Sequence, residues 1–193
     1  MEKISKNLTD AKKILLEGKV AVIPTDTIYG LSSQALSETA VEKIYQIKQR
    51  KTSKPMIILI ADIEDLALFG IETDEKVKKI LEKVWPGKVS AILPCSSAKF
   101  HYLHRGANTL AFRLPARADL RELIKATGPL ISTSANLERS FPASTIEEVK
   151  KYFGDQVNIY IDEGRLNSLP STLIWFKNGE VVVLRQGEVK IEV

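Results

Sequence analysis

Four cations crowd the stretch IKQRKTSKP at residues 47–55: Lys48, Arg50, Lys51 and Lys54 fall within seven residues. Thr52 and Ser53 sit among them, and Pro55 closes the run. The whole chain carries a formal net charge of only +4. Like charges this close repel one another, and a bound polyphosphate relieves that repulsion, with the hydroxyls as further donors. A second reading needs no ligand: Lys48, Arg50 and Lys51 in the last turn of a helix meet the negative end of its macrodipole. Both readings stand on this stretch alone.

Two hydroxyl-rich stretches raise the same choice. PTDTIYGL places Thr25, Asp26 and Thr27 at the end of a strand, where α/β proteins bind ligands, and Gly30 allows close backbone approach. ISTSAN repeats the design with Ser132, Thr133, Ser134 and Asn136, neutral groups that orient a polar ligand. Each is also an ordinary turn held by side-chain to backbone bonds. No GxSxG elbow surrounds these serines, so a hydrolase nucleophile is disfavoured. Arg113 lies inside the apolar strand TLAFRL, where a charge must pair with a carboxylate or face a cleft, and Arg185 in VVVLRQG poses the same question. His101 and His104 have no acidic or thiol partner at ligand spacing and read as surface or loop residues. GxxxxGK[ST] and GxGxxG are both absent.

Composition bounds the rest. The chain has 193 residues, 44% apolar and 27% charged, enough for one domain over 1–193 with a proper core. The longest apolar run, MIILIA at 56–61, is far too short to span a bilayer, and MEKISKNLTD has no signal-peptide core. Cys95 is the single cysteine, which excludes an internal disulfide and favours the cytoplasm. One Cys and two His are too few for a zinc site, so no protein-bound metal is expected.

The elements that must position these residues follow from periodicity and punctuation. LTDAKKILLEGK reads as a helix with Leu8, Ala11, Ile14 and Leu15 on one face, capped by Thr9 or Asp10 and ended by Gly18. VAVIP (20–24) is a buried strand, TDTIYGL a turn, and Glu38 to about Arg50 a helix with Val41, Ile44, Tyr45 and Lys48 on one side. MIILIA is a strand; 62–69 and 73–84 are helical, the second stopped by Trp85-Pro86-Gly87. VSAIL (89–93) and TLAFRL (109–114) are strands, Asp119–Thr127 a helix, and LISTSA (130–135) a strand ending in hydroxyls. Ser144 with Glu147 has capping-box spacing ahead of a helix to about Phe153. VNIYI, STLIWF and EVVVLR are strands, the last two joined by Asn178-Gly179, which suits a type I′ hairpin. Interleaved helices and strands with a hairpin predict an α/β fold on a twisted mixed sheet.

PTDTIYGL, IKQR, WPGKVSAIL and STSAN, followed by PSTLI and VLRQG, occur in one order that resembles the YrdC-like threonylcarbamoyl-AMP synthases, from about Val20 to Gly187. The length is like that of the short, single-domain bacterial members. The resemblance implies an α/β fold with helices flanking the sheet and a large, positively charged concave cavity. It implies ATP, L-threonine and bicarbonate (or carbon dioxide) as substrates, with Mg²⁺ accompanying ATP. The product is then L-threonylcarbamoyladenylate plus pyrophosphate, passed to a separate tRNA-modifying transferase complex. The family's KxR pattern matches Lys48 and Arg50 as the catalytic pair, and its SxN pattern matches Ser134 and Asn136. By similarity Arg50, Lys54, Thr109, Ser134, Asn136 and Arg185 bind ATP, and Thr27, Arg113, Ser132 and Ser171 bind threonine. Three positions depart from the pattern: Lys51 stands where many relatives have Pro, SANLERS lacks their Gly, and Leu59 matches a His of longer relatives.

Two competing classes remain. A basic concave surface could bind tRNA or other RNA directly, without catalysis; aromatics at 7% that do not interleave with the cations give base stacking little support. A carbamoyl-adenylate enzyme of the hydrogenase-maturation type would carry zinc-binding Cys pairs, against one Cys here.

Overall fold

Along this chain's central strands successive side chains point to opposite faces, and both faces carry apolar residues. In the computed structural model, which describes residues 3–177 and 180–191, ten strands form one sheet among the described residues. They are β1 (Lys3–Ser5), β2 (Ala21–Pro24), β3 (Tyr29–Gln34), β4 (Ile57–Leu59), β5 (Val89–Pro94), β6 (Thr109–Arg113), β7 (Leu130–Ser134), β8 (Ile159–Ile161), β9 (Thr172–Lys177) and β10 (Glu180–Arg185). Their spatial order is β1-β8-β2-β3-β7-β4-β6-β5-β9-β10. β8 pairs parallel with β1 and β2, as do β4 with β6 and β5 with β9; the other pairs are antiparallel. The helices are α1 (Ala11–Leu16), α2 (Glu38–Lys48), α3 (Glu75–Val84), α4 (His101–His104), α5 (Ala118–Thr127) and α6 (Ile146–Phe153). The α/β class and mixed sheet expected from sequence are found.

Parity sorts the core into two layers. Val22, Leu31, Ile58, Phe112, Ile131, Tyr160 and Ile174 join one cluster with Val41, Ile44 and Tyr45 of α2. Ala21, Ile23, Leu59, Leu130, Ile159 and Ile161 face the other way and meet Ala11 and Leu15 of α1 and Leu120, Leu123 and Ile124 of α5. α1 and α5 cover the second face at one end of the sheet only. Towards β5, β9 and β10 that face is left open, mixes apolar side chains such as Ile92 and Leu173 with hydroxyl and cationic ones, and borders a cavity.

Several local expectations are corrected. TDTIYGL is only partly a turn: Tyr29–Gln34 is strand β3, paired on both sides with β2 and β7. Its Gly and Ser residues have poor strand propensity, and flanking ladders override it. β1 was unforeseen and is held by β8 alone. α2 ends at Lys48, because Gln49 turns left-handed at φ 52°, so Arg50 and Lys51 lie beyond the helix. Asn7 caps the first turn in place of Thr9 or Asp10, accepting from the Thr9 amide. The α6 cap lies one residue later than expected: Thr145 accepts from the Glu148 amide, while Glu148 reaches back to Ser144. His104 is buried, its Nδ1 accepting from the Gly106 amide, whereas His101 is exposed. β9 and β10 are antiparallel neighbours as expected, and Asn178-Gly179 lies outside the described residues.

Candidate active site

The register draws one row of neighbours across seven strands: Ser32, Ser132, Ile57, Ala111, Ile92, Trp175 and Val182. Flanking rows bring Gly30 beside Ser134, Leu59 beside Arg113, and Leu173 beside Arg185. A cavity of about 510 Å³ lies on this face, bordered by Gly30, Ala111, Ser132 and Ser134 as well as larger residues of these rows. Gly30 lets β3 approach closely here: a Cβ would stand 2.5 Å from Ser132 Oγ, and that side chain would have to turn away. Four cations line the cavity, Arg50, Lys54, Arg113 and Arg185, and no carboxylate is among its lining residues.

The basic stretch reaches the cavity through its loop. Arg50 Nε and Nη2 donate to the carbonyls of Lys54 (3.1 Å) and Pro55 (3.0 Å), folding the loop around the guanidinium. Tyr45 Oη on α2 donates to the same Lys54 carbonyl at 3.0 Å. Lys54 Nζ is 2.5 Å from Glu138 Oε1, and Glu138 Oε2 accepts from the Lys51 amide at 2.8 Å. These bonds to Lys54 and Lys51 hold the Glu138 carboxyl down to about 2. The Lys51 side chain is exposed and outside the lining.

Lys48 takes a different place. It is 1% exposed, and its Nζ donates to Ser134 O (2.5 Å), Asn136 O (2.8 Å) and Asn136 Oδ1 (2.9 Å). Ser134 Oγ donates to Asn136 Oδ1 at 2.6 Å, and Asn136 Nδ2 to the Ser140 carbonyl at 2.5 Å. Lys48 thus pins the loop after β7 from behind, and burial, then repulsion from Arg50, pushes its pKa down to about 7. Neither Lys48 nor Asn136 lines the cavity.

At the opposite side Arg113 answers both readings of a strand arginine. It is 4% exposed and lines the cavity, while Nη1 donates to Thr27 Oγ1 at 2.9 Å and Nη2 lies 3.2 Å from Asp26 Oδ1. That ion pair lacks hydrogen-bond geometry, so Asp26 Oδ1 has no hydrogen-bond partner, and Arg113 Nε has none either. Burial lowers the Arg113 pKa, and Asp26 opposes the shift. The 25–28 turn exists as well: Thr25 Oγ1 donates to Ile28 O and accepts from the Thr27 amide. Ser32 Oγ donates to Ser132 Oγ at 3.0 Å. Ser171 Oγ lies 2.8 Å from Ser90 Oγ, and its carbonyl accepts from Arg185 Nη2 at 2.8 Å.

Nine of the eleven expected site residues therefore border one cavity: Thr27, Arg50, Lys54, Thr109, Arg113, Ser132, Ser134, Ser171 and Arg185. Sequence reading missed the apolar floor (Met56, Ile57, Ile92, Leu173), which only strand parity and register reveal. It also missed Ser90, whose signal was a hydroxyl inside the apolar run VSAIL, and Glu138, whose partners lie 84 and 87 residues away. Among the described residues no group of three His, Cys, Asp or Glu side chains could hold a metal.

A family model for Sua5, YciO and YrdC proteins, described as "Telomere recombination", matches residues 13–187, and the chain belongs to this family. A Methanocaldococcus jannaschii protein provisionally named threonylcarbamoyl-AMP synthase is 33% identical over 99% of this chain and 90% of its own. The threonylcarbamoyl-AMP synthase of Bacillus subtilis is 32% identical over 96% of this chain. The crystal structure of P. abyssi Sua5 complexed with L-threonine superposes with a TM-score of 0.88 at 29% identity, covering 97% of this chain. This chain spans 54% of the B. subtilis relative and 57% of the P. abyssi chain. Among the described residues no helix is long and apolar enough to cross a membrane.

Proposed function

We propose that the chain is a threonylcarbamoyl-AMP synthase, a nucleotidyltransferase that makes L-threonylcarbamoyladenylate and pyrophosphate for tRNA threonylcarbamoyladenosine modification. One observation carries the reading: one cavity borders nine of the residues expected to bind ATP and threonine, four cations included. The names of the relatives and the threonine bound in P. abyssi Sua5 support it.

The threonine amine attacks the carbon of bicarbonate, or of carbon dioxide formed from it, and the carbamate results as water is lost from bicarbonate. A carbamate oxygen then attacks the α-phosphorus of ATP. The new P–O bond forms as the bond to the β-phosphate oxygen breaks, and pyrophosphate leaves. No covalent enzyme intermediate is required, so positioning and charge stabilisation supply the catalysis. Arg113 has a planar fork suited to the threonine carboxylate, with Thr27, Ser132 and Ser171 as hydroxyl partners. Arg50, Lys54 and Arg185 take the phosphates, with Thr109 and Ser134 beside them. Lys48 and Asn136 serve the same side by holding Ser134 at the end of β7 and the loop that follows it. Magnesium arrives with ATP on its phosphates. The cytoplasm and a downstream transferase complex complete the reading.

The test is pyrophosphate release from ATP with threonine and bicarbonate omitted in turn. Release that depends on both is expected, and Arg50→Ala lowers it on the order of a hundredfold, about 3 kcal/mol of barrier. Salt-sensitive tRNA binding without any such release would favour an RNA-binding module instead.

A further inference from the structure

Two of the four cations bordering the cavity are paired with a carboxylate, Arg113 with Asp26 and Lys54 with Glu138, and of these only Lys54 is itself exposed. Asp26, the partner of Arg113, is buried beside it and also accepts from the Ala116 amide. Arg50 and Arg185 hold carbonyl oxygens. Lys54, whose side chain is 51% exposed, has Glu138 at 2.5 Å. The second Glu138 oxygen takes the Lys51 amide at 2.8 Å, so one carboxylate ties the 51–54 loop to the loop after β7.

We propose that Glu138 is a built-in competitor for the polyphosphate-binding cation Lys54. Carboxylate and phosphate oxygens want the same ammonium hydrogens, and an anion arriving at Lys54 meets a like charge already seated there. A polyphosphate, with several charges to spread over Arg50, Lys54 and Arg185, overcomes that repulsion better than a single phosphate does. Glu138 thereby keeps the cation cluster compensated between turnovers and limits how tightly nucleotide and pyrophosphate are held. This assignment rests on the nucleotide role proposed above for the cavity.

Glu138→Gln keeps an amide oxygen able to accept from the Lys51 amide and removes the charge. By calorimetry on the full chain, this variant should bind inorganic tripolyphosphate about three- to fivefold more tightly, the scale of one partly exposed ion pair. The gain should vanish in a Lys54→Ala background, which separates competition from a general loosening of the loop. Equal or weaker binding by Glu138→Gln, a gain that persists without Lys54, or tripolyphosphate binding to neither protein overturns the proposal. Tighter tripolyphosphate binding in a chain that shows no threonine-dependent pyrophosphate release would leave the competition standing and remove the synthase reading.

Discussion

At the residue scale Lys48 fits the helix-end reading of the basic stretch, while Arg50 and Lys54 carry the charge that reaches the cavity. Lys48 lies in the last turn of α2, where its charge suits the helix end, yet its Nζ is spent on Ser134 and Asn136. Lys48→Met would remove three hydrogen bonds from a buried donor and leave the Asn136 carbonyl without the Lys48 ammonium, at a cost of about 2–3 kcal/mol. Calorimetry should then show a melting temperature lower by roughly 5–10 °C. The pH dependence has a definite sign. Because its folded pKa falls from 10.5 to about 7, the unfolded chain binds more protons between those values. Stability due to Lys48 therefore rises with pH across that window. Melting temperatures at pH 7 and pH 9 should show this rise in the wild type and its loss in Lys48→Met; parallel slopes would mean that Lys48 titrates normally.

At the scale of elements, the C-terminal hairpin depends on a backbone crossing. A Cβ on Gly187 would stand 2.2 Å from the Pro170 carbonyl oxygen and 2.5 Å from the Ser171 carbonyl carbon, both backbone atoms that cannot swing aside. At Gly30 the obstacle is Ser132 Oγ, a side chain that can rotate. Gly187→Ala should cost about 2 kcal/mol in urea unfolding and loosen Arg185 from Ser171, weakening ATP binding as well. An alanine variant with wild-type unfolding and ATP affinity would show that the crossing tolerates a methyl group. Element type was largely legible here: β9 and β10 were read from β-branched and aromatic runs, and α5 from its apolar spacing. β3 was not, because YGLSSQ becomes a strand only between two partners.

For the whole molecule, the site is the part of one sheet face that α1 and α5 leave uncovered. It is predicted to bind two ligands, threonine at Arg113 and Ser171 and phosphates at Arg50 and Lys54, with Arg185 hydrogen-bonded to Ser171. A ligand at a hundred times its Kd adds about 2.7 kcal/mol of stability, or roughly 5–10 °C for a chain of this size. Thermal melts should show such a shift with ATP and a separate one with threonine. Arg50→Ala should shrink the ATP shift and spare the threonine shift; equal loss of both would mean that the two ligands do not have distinct sites.

The α/β class and most of the strands and helices are legible in the sequence, because periodicity and turn residues are local properties; that the polar stretches belong together is what their resemblance, in order, to one family implies. Only the tertiary structure decided what each polar group does. Lys48 and Arg50, two residues apart, part company at the left-handed Gln49: one turns beneath the loop after β7, the other toward the cavity. Asp26 and Arg113 become partners, and Glu138 finds Lys54, across 87 and 84 residues of chain. Such pairings follow from strand order and register, which local propensity does not encode.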